Sequence, residues 1–195
     1  MKTPPKLILF SGFLGSGKTT LLNLTARYLT DKGLKIAMII NEAGEVGVDN
    51  LYLKQKGYAV RELFGGCICC TMAENLNHLI QELTAAYDID VILMEPSGTA
   101  DPKALYKPIT RAGFSPESIH HITLLDPLRA QMFMDILEPL LASALPLAQC
   151  AVINKIDLAT PEMLTFSEAT LQQHNKEIPI LQMDLTTELT PEYQH

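Results

Sequence analysis

What the chain lacks narrows the kinds of protein it can be. Its net charge is −7 and no basic stripe or cluster stands out, so we expect neither nucleic acid nor membrane as a partner. No apolar run approaches the roughly 18 residues of a transmembrane helix. Residues 1–6 lead into a strand-like segment without the apolar stretch of a secretion signal. We therefore expect a cytoplasmic protein whose four cysteines are reduced.

The alternation of strand-like and helix-like segments predicts the fold class. A length of 195 residues fits one domain with an ordinary core. Apolar runs alternate with helical periodicity from end to end, which is typical of an α/β fold with a mostly parallel sheet between layers of helices. The last ten residues, 186–195, are polar and are expected to form a flexible tail. Strands are predicted over 7–10, 35–40, 58–63, 91–94, 119–125, 150–153 and 178–181, and helices over 18–30 and 72–87.

Capping residues and proline predict where several helices begin. A capping residue followed by proline at the first helical position occurs at Asp101-Pro102, Asp126-Pro127 and Thr160-Pro161. Gly33 is expected to end the first helix. The helix after Asp126 carries an apolar stripe that we expect to lie mainly in the core, whereas a partly exposed stripe would indicate contact with a second copy. The stripe consists of Met132, Phe133, Ile136, Leu137, Leu140 and Leu141.

A glycine-rich stretch after the first predicted strand carries the strongest functional signal. Residues 12–19 read GFLGSGKT and lie between an apolar strand and a helical pattern, which is the context of a phosphate-binding P-loop. Glycines let backbone N–H groups face an anion, Lys18 neutralises the β- and γ-phosphates, and Thr19 can ligate magnesium. The alternative is an ordinary glycine-rich turn with a surface lysine. The predicted nucleotide-binding residues here are Gly12, Gly15, Ser16, Gly17, Lys18, Thr19 and Thr20.

A second motif indicates which base is bound. The strand 150–153 is followed by Asn154, Lys155, Ile156 and Asp157, a pattern of the form NKxD. The Asp157 carboxylate can accept two hydrogen bonds from the N1–H and amino group of guanine, and adenine lacks that donor pair. Lys155 would lay its stem along the base plane, and Asn154 would tether nearby loops. An ordinary strand exit is the alternative. Gln182, Met183 and Asp184 are candidates for the opposite wall of the base pocket.

Acidic residues are expected on the magnesium and γ-phosphate side. The strand 91–94 runs into Glu95, where P-loop proteins place a metal-binding acid, and Gly98 could donate a backbone N–H to the γ-phosphate. Residues 41–49 follow the second strand and carry three carboxylates, of which Glu42 and Asp49 could bind metal or orient water. A surface ion pair at Glu95 and a solvated tip for the loop are the alternatives. The catalytic candidates are Lys18, Glu42 and Glu95.

Three closely spaced cysteines suggest a second kind of metal site. Cys67, Cys69 and Cys70 follow two glycines and precede a helix, whose N-terminus favours thiolate. Such soft donors suit zinc, cobalt, nickel or copper(I), and the spacing is too short for the usual structural zinc pattern. Buried thiols, a redox pair and a disulfide are the alternatives. Cys150, alone in an apolar strand, is expected in the core, and no histidine has a ligand spacing to the triplet.

Together these motifs resemble the CobW/HypB/UreG family of metal-handling P-loop GTPases, and within it the CobW-like metallochaperones. The resemblance extends over residues 6–182, and it implies the P-loop three-layer αβα fold. Many CobW-like proteins have a further C-terminal domain, so we expect this chain to be the GTPase domain alone, over residues 1–185. The matching segments are GFLGSGKTT, NEAGEVGVD, GGCICC, EPSGTADP and NKID.

The resemblance implies a function as well as a fold. It implies a GTPase that uses GTP and Mg²⁺, binds zinc, cobalt or nickel at the cysteine triplet and delivers it to a client metalloenzyme or cofactor-assembly protein. On this pattern Thr19, Glu42 and Glu95 belong to the magnesium side, and a homodimer around nucleotide is expected in some relatives. Two alternatives stay open. One is a regulatory GTPase that gates assembly of a metal-dependent enzyme without delivering metal, and the other is a small-molecule kinase.

Overall fold

A parallel sheet forms the centre of the molecule. The structure, a computed structural model, describes residues 5–40, 59–62 and 70–186. In this part of the chain seven strands pair in parallel in the order β3-β2-β4-β1-β5-β6-β7, so β1 lies between β4 and β5. The strands are β1 (Lys6–Gly12), β2 (Ile36–Ile40), β3 (Ala59–Glu62), β4 (Val91–Glu95), β5 (Ile119–Leu125), β6 (Cys150–Asn154) and β7 (Ile180–Met183). The helices are α1 (Lys18–Asp31), α2 (Cys70–Ala86), α3 (Pro102–Arg111), α4 (Ala130–Ala144) and α5 (Pro161–His174).

Alternate strand residues supply two layers of core. Phe10, Met38 and Val152 point to one face, where they pack with Leu21 and Leu22 of α1. Their neighbours in sequence point to the other face, which α2 to α5 cover. This is the alternation that the pleat of a strand imposes. Helices thus lie on both faces of a parallel sheet, which confirms the predicted αβα sandwich.

Most predicted element positions agree with the structure within two residues. Gly33 follows α1 at a φ of +83°, and its N–H bonds Thr30 O, so it ends the helix as predicted. Asp101 and Thr160 are the N-cap residues of α3 and α5, and each side chain accepts a backbone N–H. Asp126 does not start a helix, because α4 begins four residues later at Ala130. The Asp126 carboxylate instead accepts from Leu128 N across a turn.

The apolar stripe of α4 is divided between core and surface. Phe133 and Leu141 are buried as predicted, whereas Met132 and Ile136 are 44% and 67% exposed. The expectation of a core position was therefore wrong for these two residues. They lie on the side of the helix that faces away from the sheet.

Some predictions fall outside the described residues. These include the acidic segment 41–49, the first two cysteines of the triplet and most of the predicted tail, 187–195. Among the described helices, none combines the length and the apolar character needed to cross a bilayer.

Candidate functional site

A cavity of about 740 Å³ opens at the carboxyl ends of the strands. In a parallel sheet these ends lie at one edge, where open α/β folds bind ligands, and the volume suits a small-molecule ligand. Its walls come from the P-loop, the first turn of α1, the end of β4 and the segments after β6 and β7. The lining residues are Leu14, Gly15, Gly17, Lys18, Thr19, Thr20, Glu95, Asn154, Lys155, Asp157, Leu158, Asp184, Leu185 and Thr186.

The glycines of the P-loop hold the loop in a shape that other residues resist. Gly12, Gly15 and Gly17 have φ values of +139°, +79° and +102°, in the range that favours glycine. A Cβ on Gly12 would also stand 2.4 Å from the backbone oxygen of Leu124. The loop therefore packs directly against the end of β5.

Lys18 is a buried cation on the floor of the cavity. Only 5% of the residue is exposed, and its Nζ donates to the carbonyl oxygen of Phe13 at 3.1 Å. Burial lowers the pKa of Lys18, and the Glu95 carboxylate, 3.9 Å from Nζ, opposes that effect. An anion in the cavity would add a second counter-charge for this buried ammonium, beside that of Glu95.

Thr19 and Glu95 place two oxygen ligands side by side. The Thr19 hydroxyl donates to Glu95 Oε1 at 3.0 Å, and Glu95 is 8% exposed. A hydroxyl and a carboxylate are hard donors, and Mg²⁺ usually takes one or two such protein ligands together with water and phosphate oxygens. The pair therefore fits a magnesium ion. Within the described residues no group of three His, Cys, Asp or Glu side chains forms a metal site.

Asn154 joins three parts of the cavity wall. Its Nδ2 donates to Ser16 O at 2.9 Å, and its Oδ1 accepts from Leu185 N at 3.2 Å. A Cβ on Gly17 would stand 2.3 Å from Nδ2. The end of β6 is thus tied to the P-loop and to the segment after β7.

Lys155 and Asp157 lie at the other end of the cavity. Lys155 has a left-handed backbone at φ +63°, and Asp157 lines the cavity beside Leu158, which is 63% exposed. Asp184, a candidate for the opposite wall, also lines the cavity. The other two candidates for that wall do not, because Met183 is buried in the core and Gln182 donates to Glu168 instead.

Other predicted residues lie apart from the cavity. Gly12 and Gly98 line a separate cavity of about 20 Å³ beneath the P-loop. A Cβ on Gly98 would stand 2.7 Å from Leu14 N, so the loop after β4 packs directly on the P-loop. Ser16 is buried, and its Oγ has no hydrogen-bond partner among the described residues.

Three of the predicted metal-site residues lie outside the described part of the chain. Glu42, Cys67 and Cys69 fall outside the described residues. Cys70 is the first residue of α2, and its side chain is not described.

Two residues beside the cavity were not singled out from the sequence for the site. Asp126 Oδ2 accepts from Lys155 Nζ at 2.6 Å, and Arg129 Nη1 donates to Leu14 O at 3.4 Å. Asp126 follows β5 directly and Arg129 comes three residues later, at the edge where the cavity opens. That position was the available signal, but Asp126 was interpreted only as a helix cap.

Comparison with known proteins identifies the family. The model of the CobW/HypB/UreG nucleotide-binding domain matches residues 6–182. The chain belongs to this family. The match confirms the resemblance that the five motifs suggested.

Named relatives agree with this assignment. The chain is 36% identical over 172 residues to the zinc chaperone YeiR of Escherichia coli, covering 85% of this chain and 49% of YeiR. It is 44% identical over 119 residues to the zinc chaperone CobW of Pseudomonas aeruginosa, covering 54% of this chain and 31% of CobW. The chain thus spans about half or less of the length of these two relatives.

A solved structure confirms the fold. The hydrogenase maturation factor HypB of Archaeoglobus fulgidus superposes with a TM-score of 0.70 at 19% identity, covering 97% of this chain and 87% of HypB. At that identity the likeness establishes the P-loop fold and nothing further.

Proposed function

We propose that this chain binds GTP with Mg²⁺ and hydrolyses it, and that the nucleotide state controls binding and delivery of a transition metal to a client protein. One observation carries the nucleotide part. Lys18, Thr19 and Glu95 share a single cavity with Asn154 and Asp157, so groups suited to phosphate, magnesium and guanine line one pocket. Family membership supports the same proposal.

At the phosphate end, Lys18 is the buried cation that pairs with the β- and γ-phosphates. Backbone N–H groups of the P-loop and of the first turn of α1 would complete the cradle. Thr19 and Glu95 would hold Mg²⁺, which neutralises charge that develops on the phosphate oxygens. The same pair holds the metal side of the pocket together through the bond from Thr19 to Glu95.

At the base end, Asp157 would accept the two donors that distinguish guanine from adenine. Asn154 does not need to touch the base, because it orders the walls through Ser16 and Leu185. Asp184 and Leu158 also line the cavity and are candidates for contact with the base.

Hydrolysis would proceed by attack of water on the γ-phosphate, with positioning and charge stabilisation as the main contributions. The contact between Gly98 and Leu14 places the loop after β4 beside the P-loop, where it can respond to the γ-phosphate. Glu42 remains the candidate for orienting the water, and Asp49 is a second acid of the same segment.

For the metal, we propose zinc as the leading cargo and Cys67, Cys69 and Cys70 as its thiolate ligands. The relatives YeiR and CobW are named zinc chaperones, which favours zinc over cobalt and nickel. Cys70 begins α2, and a helix N-terminus stabilises thiolate. The client would be a metalloenzyme or a cofactor-assembly protein, and a homodimer around nucleotide is a further proposal.

The nucleotide proposal is tested by calorimetry with GTP, XTP and ATP on the purified chain. We expect GTP to bind at least tenfold more tightly than ATP. Asp157→Asn should weaken GTP binding and strengthen XTP binding. Xanthine has a carbonyl acceptor in place of the amino donor of guanine, and the Asn amide can donate to it. Tighter binding of ATP than of GTP would contradict the proposal.

The metal proposal is tested by titrating Zn²⁺ with and without a non-hydrolysable GTP analogue. Cys67→Ser and Cys69→Ser should weaken zinc binding at least tenfold. Cys150→Ser is the matched control, because that thiol is half-buried in β6 and burial raises the pKa of Cys150 to about 11. Equal zinc affinity in all three variants would reject delivery through the triplet, and zinc affinity independent of nucleotide would favour the regulatory alternative.

A further inference from the structure

We propose that the turn between β5 and α4, residues 126–129, is a positioning element for the nucleotide. We call it the β5–α4 corner. Its first residue, Asp126, sets Lys155 for the base, and its last, Arg129, sets the Leu14–Gly15 peptide for a phosphate. This inference rests on the proposed function, because it assigns roles within the same pocket.

The base arm of the corner is an ion pair between a buried carboxylate and a Lys155 side chain that is 32% exposed. Asp126 is 5% exposed, and both carboxylate oxygens are engaged: Oδ1 accepts from Leu128 N at 3.0 Å, and Oδ2 accepts from Lys155 Nζ at 2.6 Å. Two fixed donors leave the carboxylate one orientation. The Lys155 ammonium is thereby held at a defined place beside the pocket.

This anchor determines which part of Lys155 meets a ligand. Lys155 lines the cavity, and its backbone adopts a left-handed conformation that is unfavourable for a residue with a Cβ. Because Asp126 engages the ammonium, the methylene stem is the part that can pack on a planar base. A stem packs equally well on any purine face, so this arm contributes affinity for purines and leaves the choice of guanine to Asp157.

The phosphate arm acts through the backbone. Arg129 Nη1 lies 3.4 Å from Leu14 O and would lie 3.3 Å from a Cβ at Gly15. A trans peptide directs its C=O and N–H to opposite sides, so a guanidinium at Leu14 O leaves the Gly15 N–H pointing away from Arg129. Gly15 lines the large cavity, whereas Arg129 lines a small separate one. The charged donor on the carbonyl polarises the peptide and makes its N–H a stronger donor to phosphate.

The two arms belong to one rigid unit. Arg129 N donates to Asp126 O at 3.1 Å, which closes the turn between them. The next turn of α4 also contacts the P-loop, because the rings of Phe133 and Phe13 pack edge to face with centroids 5.1 Å apart. The corner therefore fixes the spacing between the base end and the phosphate end of the pocket.

The test distinguishes the base arm from the phosphate arm by the ligands whose binding each variant weakens. Calorimetry on folded protein compares GDP, IDP and guanosine for Asp126→Asn and Arg129→Met. Asp126→Asn should weaken GDP and IDP by the same factor, about fivefold, because stacking is lost and guanine recognition is not. Arg129→Met should weaken GDP about fivefold but leave guanosine unchanged, and Arg129→Lys should restore part of the loss.

Matched controls are exposed residues of the same type outside the corner. Asp135→Asn on α4 and Arg111→Met at the end of α3 should bind GDP as the unaltered chain does. Lys155→Met removes the other partner of the ion pair and keeps an unbranched apolar stem. The double variant Asp126→Asn/Lys155→Met should lose no more GDP affinity than either single variant, since both changes remove the same ion pair.

The outcomes distinguish this inference from the proposed function. If the unaltered chain binds no guanine nucleotide, the proposed function fails and the corner has nothing to position. The inference is overturned if the unaltered chain binds GDP and the corner variants bind GDP with an affinity within twofold of it. It is also overturned if Arg129→Met weakens guanosine and GDP equally, or if Asp126→Asn lowers the unfolding temperature while affinity per folded molecule is unchanged. If Asp126→Asn does not fold, Lys155→Met alone decides the base arm by the same GDP and IDP comparison.

Discussion

Asn154 lies so close to Gly17 that a Cβ on the glycine would stand 2.3 Å from its side-chain nitrogen. Gly17→Ala should therefore displace Asn154 from Ser16 and Leu185, in addition to straining a backbone at φ +102°. We expect a loss of about 3 kcal/mol in the free energy of unfolding and loss of measurable GTP binding. Urea unfolding and calorimetry measure the two effects.

Gly33 provides the matched control for that substitution. It also has a positive φ, of +83°, but a Cβ there would meet nothing within 4 Å. Gly33→Ala should cost only the backbone strain, about 1 kcal/mol, and leave nucleotide affinity unchanged. Equal effects of the two substitutions would show that the contact with Asn154 is unimportant.

Gly98 should control hydrolysis more than binding. Its Cβ would approach Leu14 N to 2.7 Å, and backbone atoms of the P-loop can yield little. Gly98→Ala should push the loop after β4 away from the P-loop and lower the GTP hydrolysis rate at least about tenfold, with GDP affinity within a few-fold. Single-turnover hydrolysis and GDP calorimetry test this. Gly113→Ala, at an open position, is the control, and a larger loss in GDP affinity than in rate would contradict the prediction.

Glu95 should make the affinity for GTP depend on magnesium. Glu95→Gln keeps the shape and the bond from Thr19 but removes the charge that faces Lys18 and a metal. We expect the gain in GTP affinity on adding Mg²⁺ to fall about tenfold, while GDP binding in EDTA changes less. An unchanged magnesium effect would remove Glu95 from the metal side of the pocket.

His121 should make stability depend on pH. It is fully buried, its Nε2 lies 2.7 Å from Ser11 Oγ, and burial lowers its pKa from 6.5 to about 4. The unfolded chain therefore binds the proton more tightly, so stability is complete above pH 6.5 and falls as the pH drops towards 4. The loss contributed by this residue approaches about 3 kcal/mol.

Urea unfolding at pH 7, 5.5 and 4.5 measures that dependence. His121→Gln should flatten it, whatever its effect at pH 7. His120 has a lowered pKa as well, because of its own burial and the nearby Lys6, so the difference between the variant and the unaltered chain isolates His121. Parallel curves for the two proteins would assign the pH dependence to other groups.

Local sequence patterns were enough to predict the sheet and the family but not every contact. The predicted strand 119–125 corresponds to β5 residue for residue, although two histidines and a threonine stand among its apolar residues. The last strand begins at Ile180, two residues later than predicted. Ile178 is buried in the core, which explains the apolar pattern there, but it lies before the first paired residue of the strand.

The β5–α4 corner shows why some contacts of the site could not be predicted from the sequence. Asp101-Pro102 and Asp126-Pro127 have the same local pattern, yet only the first caps a helix. Asp126 instead pairs with Lys155, which is 29 positions away in the chain. Arg129 meets Leu14 across 115 positions. Contacts between distant segments leave no trace in a local pattern, so their roles become visible only in the folded chain.

The central position of β1 has a consequence for how the site opens. It pairs with β4 over residues 6–9 and with β5 over residues 7–12, so residues 7–9 are paired on both sides. Amide hydrogens of such a strand exchange with solvent only when the whole domain unfolds. Exchange measured by mass spectrometry should thus be slowest in residues 7–9, in the strand that leads into the loop that would release the nucleotide. Nucleotide turnover would then proceed by motion of the loops around β1, while β1 itself stays hydrogen-bonded in the sheet.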